Sequence, residues 1–289
     1  MKIRPQYGPD PLITYEGDPA AVGIPAIRQR LRLAKTLTAF APADWAAPSR
    51  CAGWTNRDVV VHLVSANRWW AHSVSEARRG RPTEMLAEFD PVATPAALVA
   101  DVGDLPPAEV LDAYVRSARA LADLLGSLTA QEWALPSENA LGHLSISACV
   151  RHALWDGWVH ERDIIGGLGL VPAVEPDEVD AALRCVAALG PAFGLLLGDL
   201  GGRRLSATVT TLDPAVGFTV EADRAVRVTA DIDPAAPVAV HGPAVEVLEG
   251  LSLRTGLDLE PRWRWLTAGL ERSFEAGPGT ARDPQLTTS

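Results

Sequence analysis

The chain has 289 residues, of which 47 % are hydrophobic and 21 % are charged, and its formal net charge at pH 7 is −10. This balance is typical of a folded globular protein and excludes a largely disordered chain. The acidic charge argues against a partner with a phosphate backbone, so we expect no nucleic-acid binding.

Cysteine usage and segment hydrophobicity indicate where the protein resides. Its three cysteines are too few and too scattered for a disulfide framework. Met1 to Gly8 contains charges and proline but no apolar h-region, so we predict no signal peptide. No apolar run reaches the roughly 18 uncharged residues that suggest a membrane span. We therefore expect a cytoplasmic protein that binds a small molecule and no membrane.

The N-terminal half of the sequence predicts four helices. The first spans Ile24 to Phe40, where apolar residues recur at near-helical spacing. The second begins at Thr55, because Thr55 and Asp58 form a capping-box pattern with Asp in place of the usual Glu or Gln. The third spans Pro107 to Leu128, and the fourth spans Ser145 to Ile165. Four helices with longish connections predict a bundle.

The composition changes after Pro172. A helix from Asp177 to Leu197 is followed by three short β-branched segments bounded by turn residues, which predict strands. Two more helices are predicted, one beginning at Pro243 and one covering Arg262 to Phe274. The expected fold class is α+β, with a helical bundle followed by a small α/β domain. The predicted strands are Leu205 to Thr210, Gly217 to Glu221 and Val226 to Ile232.

These elements divide the chain into four parts. Residues 1–22 form an N-terminal extension, and residues 23–170 form the helical bundle. Residues 171–276 form the α/β domain, and the polar residues 277–289 form a loose tail.

Helix geometry decides which of the six histidines can share a metal ion. At a rise of about 1.5 Å per residue, His62 lies about 15 Å from His72, and His152 lies about 12 Å from His160. Neither pair can share a metal whose bonds are about 2.0–2.2 Å long. Asp156 lies one helical turn from both His152 and His160, so spacing leaves two candidate chelating pairs.

His62 is the natural third ligand, because it lies inside an apolar helix segment where an imidazole needs a polar partner. Two histidines and a carboxylate leave coordination positions open, which is typical of a catalytic metal site. The alternatives are a hydrogen-bonded core histidine and an ordinary Asp–His pair on a helix surface.

Three segments carry a more specific pattern than spacing does. They are Cys51 to Leu63 (CAGWTNRDVVVHL), Trp155 to Asp163 (WDGWVHERD) and His241 to Arg254 (HGPAVEVLEGLSLR). Together they resemble the motifs of the mycothiol-dependent maleylpyruvate isomerase family, within the DinB-like superfamily of metal-binding bundles. Their order and spacing match that family over nearly the whole chain.

The resemblance implies a four-helix DinB-like bundle followed by a small α/β domain, with the active site opening between them. It also implies a divalent metal, typically zinc, bound by His62, Asp156 and His160. The family's usual carboxylate is glutamate, so Asp156 is a departure that shortens this ligand by one methylene.

The same resemblance implies a thiol cofactor, mycothiol. A bound cation can deprotonate a coordinated thiol, and the resulting thiolate is a nucleophile. Its addition to an electrophilic carbon permits isomerisation, and displacement of a leaving group is thiol transfer. Arg254 would be catalytic by clamping a substrate carboxylate, since a guanidinium binds that group bidentately. We therefore expect an isomerase or S-transferase acting on a small, electrophilic, carboxylate-bearing substrate.

Two other hypotheses remain. The metal can act without a thiol, as a Lewis acid in a hydrolase, lyase or cyclase of a specialised pathway. Alternatively, the chain is a non-catalytic metal- or ligand-binding protein.

The residues beside the site also have two interpretations each. Cys51 is a reactive thiol or a packed core residue, Asp163 orients a ligand histidine or pairs near Arg162, and Arg254 is a substrate clamp or a surface residue.

Overall fold

The computed structural model describes residues 1–275, and the predicted tail at 277–289 lies outside this part of the chain. The described residues form an α+β fold, as predicted. The helices are α1 (Gly23–Leu37), α2 (Pro42–Ala46), α3 (Asn56–Arg78), α4 (Ala93–Val102), α5 (Pro107–Gly126), α6 (Ile146–Gly167), α7 (Pro176–Leu196), α8 (Ala244–Leu251) and α9 (Ala268–Phe274). The strands are β1 (Ile13–Tyr15), β2 (Pro136–Asn139), β3 (Gly142–Ser145), β4 (Leu205–Leu212), β5 (Gly217–Ala222), β6 (Val226–Val228) and β7 (Val238–Pro243).

Helices α1, α3, α5 and α6 form the predicted four-helix bundle, in which α1 and α3 each pack against both α5 and α6. The start of α3 is fixed by the predicted capping box. The N–H of Asp58 donates to Thr55 Oγ1 at 3.3 Å, and the N–H of Thr55 donates to Asp58 Oδ2 at 3.0 Å. Helix α6 is capped by Ser145, whose Oγ accepts the N–H of Ala148 at 3.2 Å. These caps satisfy first-turn donors and so set the position of every later residue on the two helices.

A buried ion network joins the bundle to α7. Arg32 on α1 donates from Nη2 to Glu161 on α6 and to Glu178 on α7, both at 2.7 Å. Both carboxylates are almost completely buried. Buried charged groups need such paired contacts, so the ion pairs of Arg32 hold α1, α6 and α7 together.

The C-terminal sheet has the strand order β1-β6-β5-β4-β7. β6, β5 and β4 are antiparallel neighbours, whereas β7 runs parallel to β4 and β1 runs parallel to β6. Helix α7 packs on β5 and β6, and α8 packs on β4 and β7. Within the predicted N-terminal extension at residues 1–22, Ile13 pairs with Val226 and so places β1 at one edge of this sheet.

Several predicted boundaries were wrong. The strand from Val226 ends at Val228, because the side-chain Oγ1 of Thr229 accepts the N–H of Thr219 and replaces a backbone partner. The last predicted helix is divided at Thr267 into a 3-10 segment and α9. The sequence patterns did not predict α2, α4, β1, β7 or the β2–β3 hairpin.

Helix α7 is a candidate membrane span among the described helices, although it carries Asp180 and Arg184 and so contains no run of 18 uncharged residues. Its length and composition qualify it, but its most apolar window is 78 % buried inside the protein. Within residues 1–275 it is a core helix that contacts α6, α8 and α9.

Candidate metal centre and active-site cavity

A cavity of about 1120 Å³ lies between the bundle and the C-terminal part of the chain. Helices α3 and α6 each contribute one face to it. From the C-terminal part it is lined by Ser252 to Arg254, which follow α8, and by residues of α9. The lining residues of α3 are His62, Ser65, Ala66, Trp69 and Trp70, and those of α6 are His152, Trp155, Asp156, Val159 and His160.

The structure brings His62, Asp156 and His160 together in the wall of this cavity. Asp156 Oδ1 lies 3.6 Å from His62 Nε2 and 3.5 Å from His160 Nε2. These separations are too long for good hydrogen bonds. Two ligands bound tetrahedrally at about 2.1 Å from a zinc ion lie about 3.4 Å apart. The two measured separations are close to that value, and all three donor atoms lie within 4.8 Å of one another, so the group could hold a divalent metal.

The electrostatics of Asp156 also suit a cation. Burial alone would raise the pKa of this carboxyl, but the two imidazoles beside it hold that pKa well below its usual range. A buried carboxylate that stays ionised needs a positive partner. Either an imidazolium or a metal ion between the three donors would provide one.

Asp163 fixes the orientation of His160. Its Oδ2 lies 3.1 Å from His160 Nδ1, so the other ring nitrogen, Nε2, is directed at Asp156. Metal-binding histidines commonly bond a carboxylate through the nitrogen that does not bind the metal. Burial would raise the pKa of Asp163, whereas its hydrogen bonds with His160 and Arg254 lower it well below the usual range.

Arg254 lies at the cavity, where it pairs with Asp163. Its Nε donates to Asp163 Oδ1 at 3.0 Å, and its Nη2 donates to Oδ2 at 2.9 Å. Within residues 1–275, its Nη1 makes no hydrogen bond. Cys51 completes the group, with Sγ 3.1 Å from Asp163 Oδ2 and 3.6 Å from His160 Nδ1. Asp163 thus pairs with Arg254, while Arg162 donates to Glu249 at 3.0 Å.

His152 does not join the metal-ligand cluster. Its Nδ1 contacts the side chain of Asn139, with Nδ2 at 3.1 Å and Oδ1 at 3.3 Å. Its ring lies between Trp70 and Trp155, with 5.5 Å between ring centroids on each side. Of the two pairs that spacing left open, only Asp156 and His160 meet His62.

The polar partners that surround the cluster were not predicted from the sequence. Arg50 donates to both carboxylate oxygens of Glu249, at 2.9 and 3.2 Å, and its backbone N–H donates to Asp163 O. Glu249 belongs to the third motif, but its partners Arg50 and Arg162 are 199 and 87 residues away in the sequence. No local pattern could have found them.

The chain joins a helical bundle to a small α/β unit, and two histidines and a carboxylate face the cavity between them. These features define a class of two-part proteins with a candidate metal centre. Residues 27–165 match the family model described as the mycothiol maleylpyruvate isomerase N-terminal domain. Residues 27–165 thus match the N-terminal domain of this family, and the predicted resemblance is confirmed.

Two solved structures support the fold. They are the mycothiol-dependent maleylpyruvate isomerase and a mutant of it, and each matches this chain with a TM-score of 0.58 at 15 % sequence identity. Each alignment covers 83 % of this chain and 91 % of the solved chain. This likeness confirms the bundle followed by an α/β unit. A comparison with curated proteins finds no match.

Proposed function

We propose that the protein is a metal- and mycothiol-dependent enzyme that isomerises a small electrophilic substrate or transfers a thiol to it. The observation that carries this proposal is the cluster of His62 Nε2, His160 Nε2 and Asp156 Oδ1 in the wall of a large cavity. Two imidazoles and a carboxylate suit zinc. When bound, such an ion lowers the pKa of a neighbouring thiol and so makes it a nucleophile.

The chain's own residues would hold and shield this centre. Asp163 keeps His160 turned towards Asp156, and Arg254 keeps Asp163 in place. The free Nη1 of Arg254 is the group that would bind one substrate carboxylate. Apolar cavity walls, including Trp155 on α6, would exclude water and so strengthen these charge interactions.

Metal content tests the site. Purified, zinc-reconstituted wild type should hold about one equivalent, and His62→Ala should hold less than about 0.1 equivalent. His72→Ala is the matched control, because His72 lies on the same helix but is exposed and does not line the cavity. A wild-type content below about 0.1 equivalent would overturn the proposal.

Thiol use needs a separate experiment. Calorimetric titration of the zinc-loaded protein with mycothiol should show binding, and His62→Ala should reduce it strongly. Absence of binding at millimolar mycothiol would refute the thiol part. A zinc-loaded protein that turns over substrate without any thiol would support the Lewis-acid hydrolase, lyase or cyclase instead.

A further inference from the structure

Beyond the candidate metal ligands, the cavity continues into an aromatic compartment formed by Trp69, Trp70, His152 and Trp155. Trp69 and Trp70 lie about two turns beyond His62 on α3, and His152 lies one turn before Asp156 on α6. The compartment therefore begins about 6 Å along α6 from the metal cluster. That distance is comparable to the length of a ring system attached to a reacting carbon.

The size and lining of the cavity do not suit a small diacid. Its volume of about 1120 Å³ exceeds the range of about 300–1,000 Å³ that is usual for ligand pockets. Most of its wall is apolar, and the segment between α3 and α4 adds Leu86, Phe89 and Val92. A diacid of about ten heavy atoms has little apolar area with which to cover these side chains.

The charges that border the cavity also disfavour a dianion. Arg50 is paired with Glu249, and Arg254 is paired with Asp163. Two further carboxylates, Glu271 and Glu275, also line the cavity. One carboxylate at Arg254 Nη1 remains compatible with this arrangement, whereas a second would meet no unpaired arginine among the described lining residues.

His152 supplies one polar contact inside the aromatic compartment. Asn139 Oδ1 already accepts the N–H of Leu141 at 3.1 Å and lies farther from the ring than Nδ2 does. We assign Nδ2 as the donor to His152 Nδ1, which places the ring proton on Nε2. Nε2 makes no hydrogen bond within residues 1–275, and the ring lines the cavity, so this N–H is available to a ligand oxygen.

We propose that the aromatic compartment binds the body of the substrate, which is an apolar, ring-bearing electrophile with an acceptor oxygen that takes the hydrogen bond from His152 Nε2. This inference rests on the proposed function in one respect only: the proposed function places the reacting carbon at the metal cluster. The compartment itself would select an aromatic carbonyl compound over an aliphatic diacid.

Equilibrium dialysis of the zinc-loaded protein with three probes tests the proposal. The probes are 2-acetylnaphthalene, 2-ethylnaphthalene (which lacks the acceptor oxygen) and maleate. We expect the ketone to bind at least tenfold more tightly than maleate. It should bind about five- to tenfold more tightly than the hydrocarbon, which corresponds to one net hydrogen bond of about 1 kcal/mol.

Three variants identify the residues responsible. His152→Phe keeps an aromatic ring and should bring the ratio of ketone to hydrocarbon affinity close to one. Trp69→Leu should weaken both naphthalenes about equally and leave their ratio unchanged, since it removes apolar contact area. His72→Phe should behave as wild type, because His72 is exposed and does not line the cavity.

Two outcomes would overturn the proposal: tighter binding of maleate than of the ketone, or an unchanged ketone-to-hydrocarbon ratio in His152→Phe. These probes require neither mycothiol nor turnover. Their failure with intact metal and mycothiol binding would refute the substrate class alone. Their success without mycothiol binding would refute the thiol part of the proposed function and leave the compartment standing.

Discussion

Replacing His152 by phenylalanine should make the protein less sensitive to acid. In the folded chain, burial between two tryptophans lowers the pKa of His152 to about 4, despite the opposing charge of Asp156. In the unfolded chain the pKa of a histidine is about 6.5. Between these values the unfolded state binds the extra proton, so the folded state loses stability as the pH falls from 6.5 towards 4.

The size of this effect follows from the two pKa values. At pH 5 an unfolded histidine is almost fully protonated, while His152 in the folded protein stays mostly neutral. The resulting penalty is about 2 kcal/mol at pH 5 and is negligible at pH 8. The phenylalanine variant cannot titrate and should escape it.

Urea denaturation at pH 8 and pH 5, with a chelator present to remove metal effects, measures this difference. The loss of unfolding free energy between the two pH values should be about 2 kcal/mol greater in wild type than in His152→Phe. His72→Phe, at an exposed position on α3, should lose as much as wild type. An equal loss in wild type and His152→Phe would refute the reasoning.

Three further substitutions test other parts of the structure. Asp163→Asn should weaken zinc affinity about 10- to 100-fold in a chelator competition titration, because Asp163 orients the ligand His160. The control Glu249→Gln does not touch this histidine and should change the affinity little, so equal effects of the two variants would contradict the orienting role. Arg32→Met should lower the free energy of unfolding, measured in urea, by about 3 kcal/mol, because it leaves the buried Glu178 without this partner. A change below about 1 kcal/mol would argue against the stabilising role of the ion network. Gly190→Ala should cost about 3 kcal/mol in the same assay, since its Cβ would overlap a backbone carbonyl of the segment before α9, and an unchanged midpoint would contradict that packing.

Local sequence patterns predicted what local chemistry determines. The start of α3 was predictable because Thr55 and Asp58 satisfy each other's backbone groups within one turn. The pairing of Asp156 with a histidine on α6 was predictable from helical periodicity, although only the motif resemblance favoured His160. Tertiary packing then places both beside His62, which periodicity along one helix cannot reveal.

The features that were missed depend on distant parts of the chain. Asn139 holds His152 only because the β2–β3 hairpin positions it, and this short hairpin carries no strong alternation of apolar and polar residues. The pairing of Arg50 with Glu249 joins the loop before α3 to α8. Such contacts are set by how the two parts of the molecule pack together.

The edge strand β1 has a consequence for the order in which the protein is made. Ile13–Tyr15 leaves the ribosome early, whereas its partner β6 is synthesised only after the whole bundle. Bundle helices can therefore assemble while the hydrogen-bonding groups of β1 are still unpaired, because contacts close in sequence form first. Pairing of β1 with β6 then joins a strand that precedes the bundle to a sheet that follows it, so the bundle helices lie between two segments that meet only after β6 is made.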